Sequence, residues 1–338
     1  MPLTQLPPEI LLQIGHMIHK ESDLASFVQV NRGLYQTLVA QLYLRNAKDS
    51  GGTAILHAAS SGNCFALQKA LQAWTDAKSP AKLPVKPDQP LLLAAKNGNL
   101  PAVKMLLDYG IDPNVRGQKK CTPLIAASQY GHTAVVATLL AHPNIKKNVY
   151  SLGQITPINI ATQNGHTEIV KMLLSSGANA GFARENGLAP LHSAIRNKDL
   201  DLVRLLVNRK NVDPNAIFAE SRFSDLTPLH IAVKTNEEEL VKILLTDKRI
   251  NPDIIAHPLS QTPLLDAVIK DNEVMVRLLL EAGARKEIKD RSGLSPAMLL
   301  DAASANDRSE LLGARAWFIT DLPPLGTLTR DRPPQDNP

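Results

Sequence analysis

The stretch from Thr156 to Ala180, TPINIATQNGHTEIVKMLLSSGANA, constrains this chain more than any other feature, because it reads as two short helices that cannot stand alone. Thr156 offers a hydroxyl to cap a helix, and Pro157 takes the first helical position, where its missing N–H costs nothing. Ile158, Ile160 and Ala161 give this helix an apolar side. Asn164-Gly165 ends it, since glycine accepts the left-handed backbone of a helix terminus. Thr167 is expected to cap a second helix, whose Ile169, Val170, Leu173 and Leu174 form an apolar stripe at helical period before Gly177 stops it. Two helices this short leave apolar faces open, so the unit requires copies of itself stacked alongside.

The copies are present. Aligned on Thr156, they start at Ala54, Gln89, Thr122, Thr156, Ala189, Thr227, Thr262 and Ser295, at spacings of 35, 33, 34, 33, 38, 35 and 33 residues. Proline follows in all but the first, at Pro90, Pro123, Pro157, Pro190, Pro228, Pro263 and Pro296. A helix-turn-helix period near 33 with a T-P-L-H-type start, best seen in Thr227-Pro228-Leu229-His230-Ile231-Ala232 and Pro190-Leu191-His192-Ser193-Ala194, resembles the ankyrin repeat. The resemblance implies an all-α ankyrin-repeat solenoid over residues 49–318, with seven repeats and a terminal one. It also implies that His57, His192 and His230, fourth in the pattern, hydrogen-bond between neighbouring repeats, and His132 and His166 after the turn glycines read likewise. Asp112-Pro113-Asn114, Asp213-Pro214-Asn215 and Asn251-Pro252-Asp253 recur at one turn position, where such side chains bond the backbone. They read as turn residues rather than as catalytic carboxylates or metal ligands.

The first 48 residues do not repeat. Leu6-Pro7-Pro8-Glu9 opens a helix carrying Ile10, Leu11, Ile14, Met17 and Ile18, Ser22 or Asp23 caps a second with Leu24, Phe27, Val28 and Val30, and Asn31-Arg32-Gly33 turns into a third with Leu34, Tyr35, Leu38 and Leu42. Three helices of this length enclose little core, so part of their apolar surface must be covered by something else. LPPEILLQI followed by DLASFVQVNRGLY resembles an F-box, and an F-box followed at once by ankyrin repeats resembles a family common in filamentous fungi. That resemblance implies docking on a Skp-type adaptor of a cullin complex through Leu6, Pro7, Ile10, Leu11, Ile14 and Leu24. The tryptophan often found near the module's end is absent, Leu42-Tyr43-Leu44-Arg45 standing there, and Gly15-His16 interrupts the first helix. The alternative is an amphipathic cap sealing the first repeat.

Charge is unevenly placed. Residues 51–150 hold 11 basic and 4 acidic side chains, whereas residues 151–338 hold 22 and 24. An acidic partner for the early repeats follows, against the plainer reading of a solvated basic face. The loops between repeats are expected to project as fingers beside the inner helices, and there Arg116, Lys119, Lys120, Lys146 and Lys147 with Tyr130 would form a basic groove with one aromatic anchor. The longer loop before Thr227 adds Phe218, Arg222 and Phe223 as further contacts, unless one or both phenylalanines fold back on the array. Nucleic acid is disfavoured, because no aromatics interleave with the lysines.

Cys64 and Cys121 stand far apart without a C-x-x-C, so neither a disulfide framework nor a zinc site is expected. The same two cysteines point to a reducing, intracellular compartment, cytoplasmic or nuclear; no stretch approaches the roughly twenty apolar residues of a membrane span, so a soluble protein is expected, and a monomer. No nucleophile elbow, phosphate loop or Ser-His-Asp set appears, so neither an enzyme nor a cofactor is expected. Residues 319–338, rich in proline and without periodicity, read as a disordered tail. The functional expectation is an adaptor resembling the substrate receptor of an SCF-type ubiquitin ligase, with a plain ankyrin scaffold as the alternative.

Overall fold

A computed structural model describes residues 53–76, 89–181, 188–221, 224–256, 260–302 and 312. The F-box-like segment with Leu6, Pro7, Ile10, Leu11, Ile14 and Leu24 lies outside the described residues, as do Arg222, Phe223 and the tail.

The described helices fall into two compact units, the first ending at Glu185 and the second beginning at Asn186. In the first unit four helix pairs follow one another: α1 (Thr53–Ser61) and α2 (Cys64–Asp76), α3 (Gln89–Lys96) and α4 (Leu100–Asp108), α5 (Pro123–Gln129) and α6 (Thr133–Ala141), α7 (Pro157–Gln163) and α8 (Thr167–Ser175). In the second, α9 (Pro190–Arg196) pairs with α10 (Leu200–Val207), α11 (Pro228–Thr235) with α12 (Glu238–Leu245) and α13 (Pro263–Ile269) with α14 (Glu273–Glu281), and α15 (Pro296–Leu300) closes the series. Within each unit the first helix of a pair packs on the first helix of the next, and the second on the second, giving an inner and an outer row.

The inner helices start as the Thr-Pro pattern dictates. The hydroxyls of Thr122, Thr156, Thr227, Thr262 and Ser295 accept the backbone N–H three residues on at 3.3, 3.3, 3.4, 3.2 and 3.4 Å. Two residues beyond the starts of six repeats, Leu91, Leu124, Ile158, Leu191, Leu229 and Leu264 are fully buried between the rows, whereas Ala297 of the terminal repeat is half-buried. Each such side chain contributes about 1.5–3 kcal/mol relative to remaining exposed.

Outer helices α6 and α8 start on a histidine, which for α8 departs from the sequence expectation, whereas Asp199 and Asn272 cap α10 and α14 with their side chains. Thr167 does not cap α8; His166 does, with no side-chain bond to the helix. Its Nε2 instead donates to the carbonyl of Gln129 in the preceding repeat at 3.2 Å, and His132 donates likewise to Lys96 at 2.8 Å. An imidazole reaches across to a neighbouring helix end, and that cross-repeat bond takes the side chain away from its own helix.

The first repeat corrects the alignment by one residue. Its inner helix begins at Thr53, and its turn glycine, Gly62, then falls nine residues on, as Gly98, Gly131 and Gly165 do from their own starts. The alignment slipped because Ala54 stands where later copies have proline. His57 consequently leaves the structural position and lies exposed, while Ile55, Ala58 and Ala59 are buried.

Between α10 and α11 the longer loop forms a hairpin, β1 (Phe218–Ser221) antiparallel to β2 (Ser224–Leu226), with an irregularity between Ala219 and Ser221.

Candidate partner-binding cleft

The loop joining α4 to α5 opens with Asp112-Pro113-Asn114. Asp112 Oδ1 accepts the Asn114 N–H at 2.9 Å, and Asn114 then reaches the next repeat, donating to the Asn144 carbonyl at 2.8 Å and accepting the Lys146 N–H at 2.7 Å. Asn215 does the same with Arg249 and Asn251. The turn residues therefore stitch one loop to the following one, a role their recurrence foretold only in part.

From that fixed base the chain runs out through Arg116 into a finger. Gly117 and Cys121 pair backbone to backbone at 2.9 Å, and Gln118–Lys120 make one turn of 3-10 helix across the tip. Lys119 and Lys120 both have left-handed backbones, with φ of 56° and 57°, a conformation that costs a non-glycine residue on the order of 1 kcal/mol. The tip is held from the next finger, where the Leu152 N–H donates to the Lys119 carbonyl at 2.8 Å. Gly117 lies directly over the inner row: a Cβ there would stand 2.2 Å from Leu92 Cδ2, so any larger residue would push the Leu92 side chain aside.

Under the finger is a cleft of about 520 Å³. Leu92, Leu93, Cys121 and Ala126 supply its apolar lining, and Lys96, Lys119, Gln118, Gln129 and Tyr130 its polar and aromatic edge. Tyr130 is exposed, with the Lys96 ammonium 5.7 Å from its ring centroid and the His132 ring stacked 6.3 Å away. Burial raises the Cys121 thiol above its ordinary value, against the smaller opposing pull of the Lys96 ammonium.

The family of ankyrin repeats (3 copies) matches residues 27–115, 55–151, 143–218 and 217–290. The chain belongs to the ankyrin-repeat family. Rabankyrin-5 of Mus musculus is 30% identical over 120 residues, which are 35% of this chain and 10% of that protein. The matched segment thus spans about a tenth of that relative. Among solved structures, the ankyrin repeat domain of Bcl-3, a member of the IkappaB protein family, aligns with TM-score 0.55 and 25% identity over 67% of this chain and 99% of that one. The human ASB11 ankyrin repeat domain aligns with TM-score 0.50 and 29% identity over 67% of this chain and 97% of that one.

Within the ankyrin frame the residues singled out from sequence separate. Arg116, Lys119 and Lys120 are exposed on the finger, and Tyr130 stands beside them. Lys146 and Lys147 lie in the turn after α6 instead, and the Lys147 ammonium donates to the Ser176 carbonyl at the C-terminal end of outer helix α8, where a cation offsets the helix dipole. Phe218 is not an exposed anchor: it is 4% exposed, with its ring 5.7 Å from that of His192. Sequence reasoning missed Lys96, Leu92 and Leu93, because an inner helix running Leu91-Leu92-Leu93-Ala94-Ala95 reads as core throughout. It also missed Tyr150 and Leu152, 45% and 58% exposed on the neighbouring finger, although two large apolar residues in a loop were the available signal.

His192 and His230 take the structural role that the resemblance implied. His192 Nε2 donates to the Ala216 carbonyl at 2.8 Å and Nδ1 accepts the Ala189 N–H at 3.3 Å; His230 Nε2 donates to Gln261 at 3.1 Å. Burial, only partly offset by these bonds, lowers each imidazole to about 4, so both are neutral fasteners rather than acid-base groups at neutral pH. Among the described residues no cluster of His, Cys, Asp and Glu could hold a metal ion, and no helix is long and apolar enough to cross a membrane.

Proposed function

We propose that this ankyrin-repeat protein is an adaptor that holds a target protein on its repeats and presents it to a cullin-based ubiquitin ligase through a Skp-type adaptor. Ankyrin membership makes the chain a protein-interaction scaffold. The observation carrying the target-binding half is the cleft under the Gly117 finger: an apolar floor, a cationic rim and an exposed tyrosine, held by backbone bonds within the finger and one to the next finger. Such a surface is organised before any partner arrives, which lowers the ordering cost of binding.

The ligase half is supported by Leu6, Pro7, Ile10, Leu11, Ile14 and Leu24, whose order matches the F-box pattern ahead of the first repeat. In that arrangement catalysis belongs to another subunit, and this chain contributes proximity, raising the effective concentration of the target beside the transferring enzyme.

The test is capture of purified Skp adaptor by the wild-type chain and by Leu6→Asp/Ile10→Asp. Capture by the wild type, lost in the variant while circular dichroism stays helical, is the expected result. No capture by the wild type, together with earlier melting of the variant, would make the N-terminal segment a cap and the protein a scaffold without a ubiquitin role.

A further inference from the structure

We infer that the cleft under the Gly117 finger takes an acidic peptide segment carrying one large apolar side chain, the apolar group entering against Leu92, Leu93 and Ala126 and flanking carboxylates pairing with Lys96 and Lys119. The inference rests on the target-binding half of the adaptor reading and specifies the chemistry of the target.

Three observations converge on this occupant. The first is the sign of the charge. None of the residues lining the cleft is acidic, and no aspartate or glutamate occurs in the sequence from Pro113 to Thr167, while Arg116, Lys119 and Lys120 stand on the finger itself. Lys96, at the last turn of α3, brings a cation to the opposite wall. Charges of one sign on both walls, with an apolar floor between them, focus a field that an anionic segment satisfies.

The second is the floor. At the positions equivalent to Leu92, repeats of the second unit carry His192 and His230, whose imidazoles bond the following finger at Ala216 and Gln261. Leu92 has no such bond to offer, and Gly117 has no side chain to cover it, so an apolar surface remains half-exposed at Leu92, whereas Ile125, Asn159, His192, His230 and Leu265 are buried at the same place in their repeats. An apolar side chain of a partner fills that place without leaving a polar group unpaired.

The third is the edge. Tyr130 presents its ring beside the Lys96 ammonium, an aromatic and a cation already positioned together. Carboxylate pairing with Lys96 leaves the ring free to cover the entering apolar group, and a large amphipathic residue in this position is the usual anchor of a protein interface. A nucleic acid strand is the poorer fit, since stacking platforms use successive aromatics and this cleft has one.

The experiment measures fluorescence anisotropy of a fluorescein-tagged dodecapeptide in which glutamates flank a single phenylalanine, titrated with the full chain. The expected outcome is saturable binding that weakens with added salt and is roughly tenfold or more weaker for Lys96→Glu/Lys119→Glu, whose exposed sites leave the melting temperature unchanged. Replacing the phenylalanine by serine should abolish saturation. In a Cys64→Ser background the peptide should also slow maleimide labelling of Cys121, which lines the same cleft. Equal binding of the serine peptide, equal weakening by Lys146→Glu outside the cleft, or displacement by single-stranded RNA each overturns the inference. Skp capture without peptide binding overturns it while leaving the adaptor reading intact, and Skp capture by Lys96→Glu/Lys119→Glu shows that the two halves are separate.

Discussion

At the turn between inner and outer helices, one backbone geometry is met by different residues in the two units, and the difference has energetic consequences. Gly62, Gly98, Gly131 and Gly165 have φ between 73° and 77°, where glycine is unstrained; Lys198, Asn236 and Asp271 occupy the same turn position at 56°, 60° and 54°. For a lysine that backbone costs about 1 kcal/mol relative to glycine. Lys198 recovers little of it, because its ion pair with Glu237 is solvent-exposed on both sides. Lys198→Gly should therefore stabilise the protein by roughly 0.5–1 kcal/mol, read as a higher urea midpoint at unchanged slope. The reverse change should act the other way: at Gly131 an added Cβ would adopt left-handed φ and lie 2.7 Å from His166 Cε1. Gly131→Ala should lose about 1–3 kcal/mol, partly through the His166–Gln129 bond it displaces. Substitutions of one class at equivalent sites would thus carry opposite signs, and equal signs would show that the turn strain is not what sets them.

At the scale of the finger, Gly117 and Leu92 are coupled, since the side chain one lacks is the space the other uses. Gly117→Ala should destabilise by no more than about 1 kcal/mol, the Leu92 side chain turning aside, Leu92→Ala should cost less than a fully buried leucine would, and the double variant should cost less than the sum by about 0.5 kcal/mol in a urea double-mutant cycle. Additivity would mean the finger swings clear of α3. How much of this element was legible follows from what the sequence encodes locally. Thr-Pro starts and Asn-Gly turns specify their own backbone, so inner helices and turn positions could be read directly, except in the first repeat, where Ala54 offered no proline to set the register. Lys119, Lys120, Arg116 and Tyr130 could be placed near one another because the period is fixed. The fates of Phe218 and Lys147 could not: one is decided by the His192 ring and the other by a carbonyl at the end of α8, contacts between residues distant in sequence. Lys96 and Leu92 were invisible as site residues for a related reason, since helical periodicity distinguishes inner from outer faces but not sealed from open stretches of the inner row.

Across the whole molecule the fastening histidines are unevenly distributed, and this predicts where acid acts. His192 and His230, both with no exposed surface, lie in the second unit, whereas the equivalent positions of the first hold Leu92, Ile125 and Asn159. An imidazole with a folded-state value of about 4 and an unfolded value of 6.5 binds protons more readily once the chain unfolds. The stability it supports is fully present above pH 6.5 and is lost as pH falls from 6.5 toward 4, on the order of 3 kcal/mol for each histidine at the lower limit. The Asp247–Arg249 pair of the same unit does not confuse the window, because a carboxylate held low by its arginine weakens only as pH falls below the ordinary 3.8. Ankyrin arrays gain stability repeat by repeat and need not lose it everywhere at once. Amide hydrogen exchange followed by mass spectrometry at about pH 7 and about pH 5, corrected for intrinsic rates, should therefore show protection falling first in α9, α11 and the loops at Ala216 and Gln261, with α3, α5 and α7 less affected. His230→Asn should flatten the pH dependence in α11 and α13 while lowering stability at neutral pH, since an amide replaces the imidazole bond without a titrating group. Uniform loss of protection across both units would instead place the acid-sensitive groups outside these two histidines.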